Sequence, residues 1–144
     1  MGQIRDIMCK DVITVEDDKS AADAAKIISD NDISFLVIIK DDLPIGVLSE
    51  KDFVRKLAAV NKNASETPIS EIMSYKFRWV EPTTPIEDAI QKMLNNNIRR
   101  LLVLENGKLV GVITQTDLAA YLRDQLHGEL PSEHAHQQTL LHLC

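Results

Sequence analysis

The sequence predicts an α+β protein made of two copies of one βαββα module, packed sheet against sheet. A gapless internal repeat, helical and strand periodicities in fixed order within each copy, and turn chemistry at matching places predict it. The repeat has an offset of 65 residues: Ile7–Leu57 aligns with Ile72–Leu122, and thirteen of the 51 aligned positions are identical. They include Val15/Val80, Asp23/Asp88, Ala24/Ala89, Ile33/Ile98, Leu36/Leu101, Gly46/Gly111, Val47/Val112 and Asp52/Asp117. A register without gaps fixes loop lengths as well as elements.

Each copy opens on a short β-rich segment, Val12–Val15 and Phe77–Val80. A helix follows. In copy two, Thr84-Pro85-Ile86-Glu87 offers a hydroxyl for the N-cap, proline at the first helical position and a carboxylate three residues after the cap. Ser20-Ala21-Ala22-Asp23 does the same in copy one. The helices run to Asn31 and Asn96, with Ala24, Ile27 and Ile28 or Ala89 and Met93 at helical spacing. Two apolar runs come next. Phe35–Ile39 and Ile45–Leu48 flank Lys40-Asp41-Asp42; Leu101–Leu104 and Val110–Ile113 flank Glu105-Asn106-Gly107-Lys108. Asn-Gly between apolar runs signals a hairpin. A second helix starts at Ser49 or Thr114 and runs to Ala59 or Leu126. The organisation is therefore module one at 1–60, a polar linker at 61–70, module two at 71–126 and a tail at 127–144. A unit of about 55 residues is marginal for an independent core, so the pair is expected to share one.

Composition narrows the function classes. The net charge is −6, the pI is near 5.1 and basic residues are scattered apart from Arg99-Arg100. Duplex nucleic-acid binding needs a basic face, so no nucleic-acid partner is expected. There is no run of about 18 apolar residues to span a membrane, and Met1–Lys10 lacks signal-peptide design. The expected location is the cytoplasm, without membrane partners. Cys9 and Cys144 have neither metal-ligand spacing nor a disulfide framework and read as two unrelated thiols. The tail holds His127, His134, His136 and His142, whose spacing fits no closed four-ligand site, so no metal is expected. Gly-rich phosphate loops, Ser/His/Asp sets and Cys/His pairs do not stand out, so the chain does not read as an enzyme.

The residue pattern resembles a tandem pair of CBS domains, the module named after cystathionine β-synthase, over Ile4 to Leu126. The resemblance is carried by the opening Ile-Met, the short strand, and the block Ile98-Arg99-Arg100-Leu101-Leu102-Val103 with its counterpart at Ile33. Most telling are Gly46-Val47-Leu48-Ser49-Glu50-Lys51-Asp52 and Gly111-Val112-Ile113-Thr114-Gln115-Thr116-Asp117. One such string is weak; two at one offset, each after a hairpin and before a helix, are specific. The resemblance implies a pseudo-two-fold pair with two clefts that take AMP, ADP, ATP, S-adenosylmethionine or related adenosine ligands. It also implies a regulatory role, exerted on another protein in trans or through self-association as a homodimer, with no required cofactor.

The chemistry suits those residues. A carboxylate at a helix start, Asp52 or Asp117, can accept hydrogen bonds from both neighbouring ribose hydroxyls. Ser49 and Thr114 stand at strand-to-helix junctions, where open N–H groups and the helix dipole favour phosphate. By the resemblance, adenine would lie among apolar strand residues such as Val47 and Val112. It would be read by backbone flanking Ile13 and Arg78, with Ile33 and Ile98 nearby, while Arg99 and Arg100 meet phosphates as bidentate guanidiniums. Ser/Thr-x-x-Asp is equally a capping box that needs no ligand, and one hydroxyl can serve both ends. Arg99-Arg100 can equally be a solvated surface pair. Copy one has Ser34-Phe35 in their place and Ile13-Thr14 in place of Arg78-Trp79, so the two clefts are not equivalent. A ligand-free assembly module is the competing reading of the whole chain.

Overall fold

A computed structural model describes residues 2–126. The first repeat supplies β1 (Thr14–Glu16), α1 (Ala21–Asn31), β2 (Phe35–Lys40), β3 (Leu43–Ser49) and α2 (Glu50–Phe53), which continues as a π-helical stretch over Val54–Ala58. The second supplies β4 (Trp79–Val80), α3 (Ile86–Asn96), β5 (Arg100–Glu105), β6 (Lys108–Thr114) and α4 (Gln115–Leu126). Each repeat forms a three-stranded sheet. In it β2 lies between parallel β1 and antiparallel β3, and β5 lies between parallel β4 and antiparallel β6. The α+β class and the β-α-β-β-α order are those the sequence predicts.

The opening strands are shorter than expected, because only Thr14–Glu16 and Trp79-Val80 find ladder partners on β2 and β5. Ser20 caps α1 as predicted: its hydroxyl accepts the Asp23 N–H at 3.1 Å, and Asp23 accepts the Ser20 N–H at 3.2 Å. Thr84 does not cap α3. Its hydroxyl accepts the Glu81 N–H at 3.1 Å and closes the preceding turn, leaving Pro85 at the cap with extended backbone. The hairpin tips match across the repeat. Asp41-Asp42 and Asn106-Gly107 all have positive φ, at 53°, 63°, 53° and 79°, the geometry of a type I′ turn.

The second helix of copy one is not the single α-helix expected. After Phe53 it widens, and Ala59 N–H reaches the Val54 carbonyl at 2.8 Å. The extra residue in that turn rotates everything beyond it. Leu57 is thereby buried, whereas its repeat mate Leu122, on the regular α4, is 45 % exposed.

Packing boundaries differ from repeat boundaries. One compact unit is Val12–Phe77; the other joins the leading residues through Asp11 to the chain from Arg78 onward. Each repeat's opening segment therefore packs in the other repeat's unit. Three equivalent contacts fix it. Cys9 and Val112 exchange two backbone hydrogen bonds of 2.9 and 3.0 Å, as Ser74 and Val47 do at 2.8 and 2.9 Å. Ile4 N–H donates to Thr84 O and Ile69 N–H to Lys19 O. Ile86 N–H donates to Gly2 O and Ala21 N–H to Thr67 O. All six residue pairs keep the 65-residue offset, which thus extends back to Gly2/Thr67. The segment 61–70, expected as a polar linker, contains the fully buried Ile69 and the buried Thr67, whose hydroxyl donates to Asn63 O at 2.7 Å.

Each unit has an apolar cluster of its own. In Val12–Phe77 it gathers Val15, Ala24, Ile28, Leu36, Leu48 and the borrowed Ile69 and Ile72. In the other unit it gathers Val80, Ile86, Ala89, Leu101, Ile113 and the borrowed Ile4. The exchanged segment thus adds core to a module too small to bury much alone. Cys9, expected to be an isolated thiol, is buried and is not free. Cys144 and the tail histidines lie outside the described residues. No helix among the described residues is long and apolar enough to cross a membrane.

Gly46 and Gly111 are required by this crossing rather than by φ. A Cβ on Gly111 would stand 2.7 Å from Met8 Sδ and 2.9 Å from Cys9 O; on Gly46 it would stand 2.8 Å from Met73 Sδ and 3.0 Å from Ser74 O. Gly111→Ala is expected to cost about 1–3 kcal/mol, as overpacking does, read as a lowered urea midpoint. Asp42→Gly gives copy one the tip residue of copy two and is expected to stabilise by up to about 1 kcal/mol, because it relieves a left-handed aspartate. The Ser20 N–H and then its hydroxyl hold the Asp23 carboxyl below its ordinary value. A depressed folded value means stability that is present above the unfolded value and lost as pH falls through the folded one. Asp23→Asn is therefore expected to flatten the loss of stability below about pH 4 in acid titrations followed by circular dichroism.

Candidate functional site

The two Ser/Thr-x-x-Asp strings fold alike for a local reason. The last residue of β3 or β6 carries the hydroxyl, and the strand ends because the following N–H turns away from the ladder. Glu50 N–H donates to Ser34 O at 3.1 Å, and Gln115 N–H to Arg99 O at 2.8 Å. Those bonds start the helices beside the first residues of β2 and β5. In the second unit, Asp117 Oδ2 accepts the Thr114 N–H at 2.9 Å and the Thr114 hydroxyl at 2.8 Å, and Asp117 N–H donates back to Thr114 Oγ1 at 3.2 Å. In the first, Asp52 Oδ2 accepts the Ser49 N–H at 2.8 Å and the Ser49 hydroxyl at 3.2 Å. Both aspartates are half-buried, so one carboxylate edge meets its own helix while the side chain still reaches the surface.

The strand register decides what stands next to each pair. Arg100 is the cross-strand partner of Thr114, and Phe35 is that of Ser49. Directly opposed residues share a face. Arg100 is half-buried beside Thr114; Arg99 is exposed, and its carbonyl is the one that holds the start of α4. The second unit thus brings Arg100, Thr114 and Asp117 together, with the Arg99 backbone beside them. Phe35 is buried, so copy one has an apolar ring where copy two has a guanidinium.

The apolar members of the predicted set lie deeper. Ile33 is buried in the first unit's core and Ile13 packs partly buried against it. Ile98 packs partly buried against the second core, and Val112 is fully buried. Val47 is half-buried. Backbone groups of Val47 and Val112 are already spent on Ser74 and Cys9, so they are not free to read a base. Arg78 is exposed just before β4, its carbonyl accepting the Leu102 N–H at 3.0 Å.

Sequence reasoning missed Lys56. Its Nζ lies 3.1 Å from Asp52 Oδ1 and donates to Ile72 O at 3.1 Å. The signal was present, since an aspartate four residues before a lysine is a standard helical ion pair. Its repeat mate is Tyr121, and Asp117 has no cation partner among the described residues. A shallow groove of about 410 Å³ in the second unit also lies outside the predicted set; Trp79, Glu81, Asp88 and Lys92 line it, with Lys92 donating to Trp79 O at 2.8 Å.

The CBS domain family model matches residues 4–59 and again 69–124. The chain belongs to the CBS domain family and carries two copies of the domain. The CBS domain-containing protein YhcV of Bacillus subtilis is 29 % identical over 119 residues, which are 83 % of this chain and 84 % of YhcV. An uncharacterized protein of Methanopyrus kandleri is 33 % identical over 117 residues, 80 % of this chain but 60 % of that longer protein. Among solved structures, the CBS domain pair of protein MJ0100 in complex with 5-methylthioadenosine and S-adenosyl-L-methionine superposes with a TM-score of 0.73 at 26 % identity. The match covers 84 % of this chain and 99 % of that one.

Proposed function

We propose that this CBS pair is a regulatory sensor of adenosine-containing ligands. It binds an adenine nucleotide (AMP, ADP or ATP) in preference to S-adenosylmethionine and acts on a partner protein in trans or through self-association as a homodimer. It performs no catalysis. The observation that carries this reading is the grouping of Asp117, Thr114 and the cross-strand Arg100 at the start of α4, with the Arg99 carbonyl holding the first turn. Asp117 Oδ1 accepts nothing from the described residues, so it is open to a ribose hydroxyl. Arginine across the strand from Thr114 adds a donor fork suited to phosphate. A guanidinium across the strand from Thr114 favours an anionic nucleotide over a sulfonium cation. A relative solved with methylthioadenosine and S-adenosylmethionine supports the adenosine class.

The assembly reading has one observation of its own. Thr114 and Asp117 already satisfy each other, so the box is complete as a cap. Calorimetric titration of nucleotide-free protein with AMP, ADP, ATP, S-adenosylmethionine and NAD separates the two. The sensor shows saturable binding, with a phosphorylated adenosine strongest. Asp117→Ala weakens that binding at least tenfold, about 1.4 kcal/mol, while the protein stays folded with a capping loss of about 1 kcal/mol. Silence with all five ligands makes the chain an assembly module.

A further inference from the structure

We infer that Lys56 holds the first unit's ribose carboxylate closed, so that the chain binds one nucleotide through Asp117 and not two. This rests on the ribose-carboxylate reading above and adds a residue that decides which half is used. The two aspartates are matched in sequence, and each accepts the N–H and the hydroxyl of its own Ser49 or Thr114 through Oδ2, the hydroxyl at 3.2 Å in the first unit and 2.8 Å in the second. The difference that decides access lies at the other oxygen. Asp52 Oδ1 faces the Lys56 ammonium at 3.1 Å, in a pair whose carboxylate side chain is 17 % exposed and whose lysine is 42 % exposed. Asp117 Oδ1 has no such neighbour among the described residues, because Tyr121 stands where Lys56 would.

Three features make the ion pair more than a surface contact. Lys56 is held at two points, since its Nζ also donates to Ile72 O at 3.1 Å. Ile72 is itself fully buried, so that second anchor does not drift. Lys56 also sits inside the π-helical stretch that carries its neighbour Leu57 into the core. A ribose diol seeking Asp52 must displace an ammonium from a carboxylate oxygen and leave that ammonium with one partner instead of two. Exchanging an ammonium for a neutral hydroxyl is unfavourable, because the hydroxyl keeps a hydrogen bond to the carboxylate but gives up the ion-pair attraction at that half-buried oxygen. The same half also lacks the phosphate fork, with buried Phe35 in the place of Arg100.

The test is titration calorimetry of the full chain with AMP and, separately, ATP. Wild type is expected to bind one nucleotide per chain, and Asp117→Asn to weaken that event at least tenfold. Lys56→Gln keeps a donor for Ile72 O but removes the charge; it is expected to add a second binding event. Asp52→Asn in that background removes it again. Lys56→Met repeats the experiment without any donor, and cooperative urea unfolding establishes that each variant is folded. Two equivalent sites in wild type, or a Lys56→Gln protein that still binds one nucleotide, overturns the role of Lys56 while leaving nucleotide sensing intact. Wild type that binds neither AMP nor ATP overturns nucleotide sensing itself, and this inference with it.

Discussion

A two-bond backbone crossing organises everything else in each unit. Cys9 lies on Val112 and Ser74 on Val47, each pair exchanging N–H and carbonyl. That crossing seats the isoleucines of the preceding turn, Ile4 or Ile69, in the core. It occupies backbone groups at the outer edge of β6 or β3, which would otherwise be an open edge. It also dictates glycine at the next position back along the strand, since the methionine and the carbonyl of the crossing segment fill the space of a Cβ. The glycine of the Gly-x-x-Ser/Thr-x-x-Asp string is thus a packing requirement. Only the end of the string starts the helix.

Seen this way, the string is two devices in series. Its first half lets a foreign segment pass close to the strand; its second half turns the strand into a helix. The carboxylate belongs to the second device, where it satisfies the helix start with one oxygen. What it does with the other depends on a neighbour one turn along the helix. In this chain that neighbour is a lysine in one copy and a tyrosine in the other. Repeats that are equal in fold are therefore unequal in electrostatics, and the inequality lies outside the matched residues.

Much of this was legible in the sequence. The helix limits at Asn31 and Asn96, the hairpin tips and the Ser20 cap follow from periodicity and turn chemistry, which act over a few residues. The exchange of opening segments was not legible. Ile4-x-x-Ile7-Met8 and Ile69-x-x-Ile72-Met73 are near copies, so the docks they fit are chemically alike and local pattern cannot say which one each fills. Thr84 misled because a hydroxyl before a proline suits a turn as well as a cap. The π-helical widening after Phe53 has no pattern of its own; it answers the demand to bury Leu57, which arises only in three dimensions. The pairing of Arg100 with Thr114 needed the exact ladder register, whereas the carboxylate and hydroxyl positions needed only their spacing.

The exchange also bears on how the chain is made. Synthesis runs from the amino terminus, so the first eleven residues emerge before any part of the unit they complete. The stretch from Val12 to Phe77 is contiguous and can close as soon as it has cleared the ribosome. The opening arm must wait, with Ile4 and Met8 uncovered, until β6 has been translated about a hundred residues later. Such a chain leaves Ile4 and Met8 uncovered longer than Ile69 and Met73, whose dock is already translated. During that wait its nearest look-alike dock lies in its own first repeat, which Ile69–Ser74 must claim first.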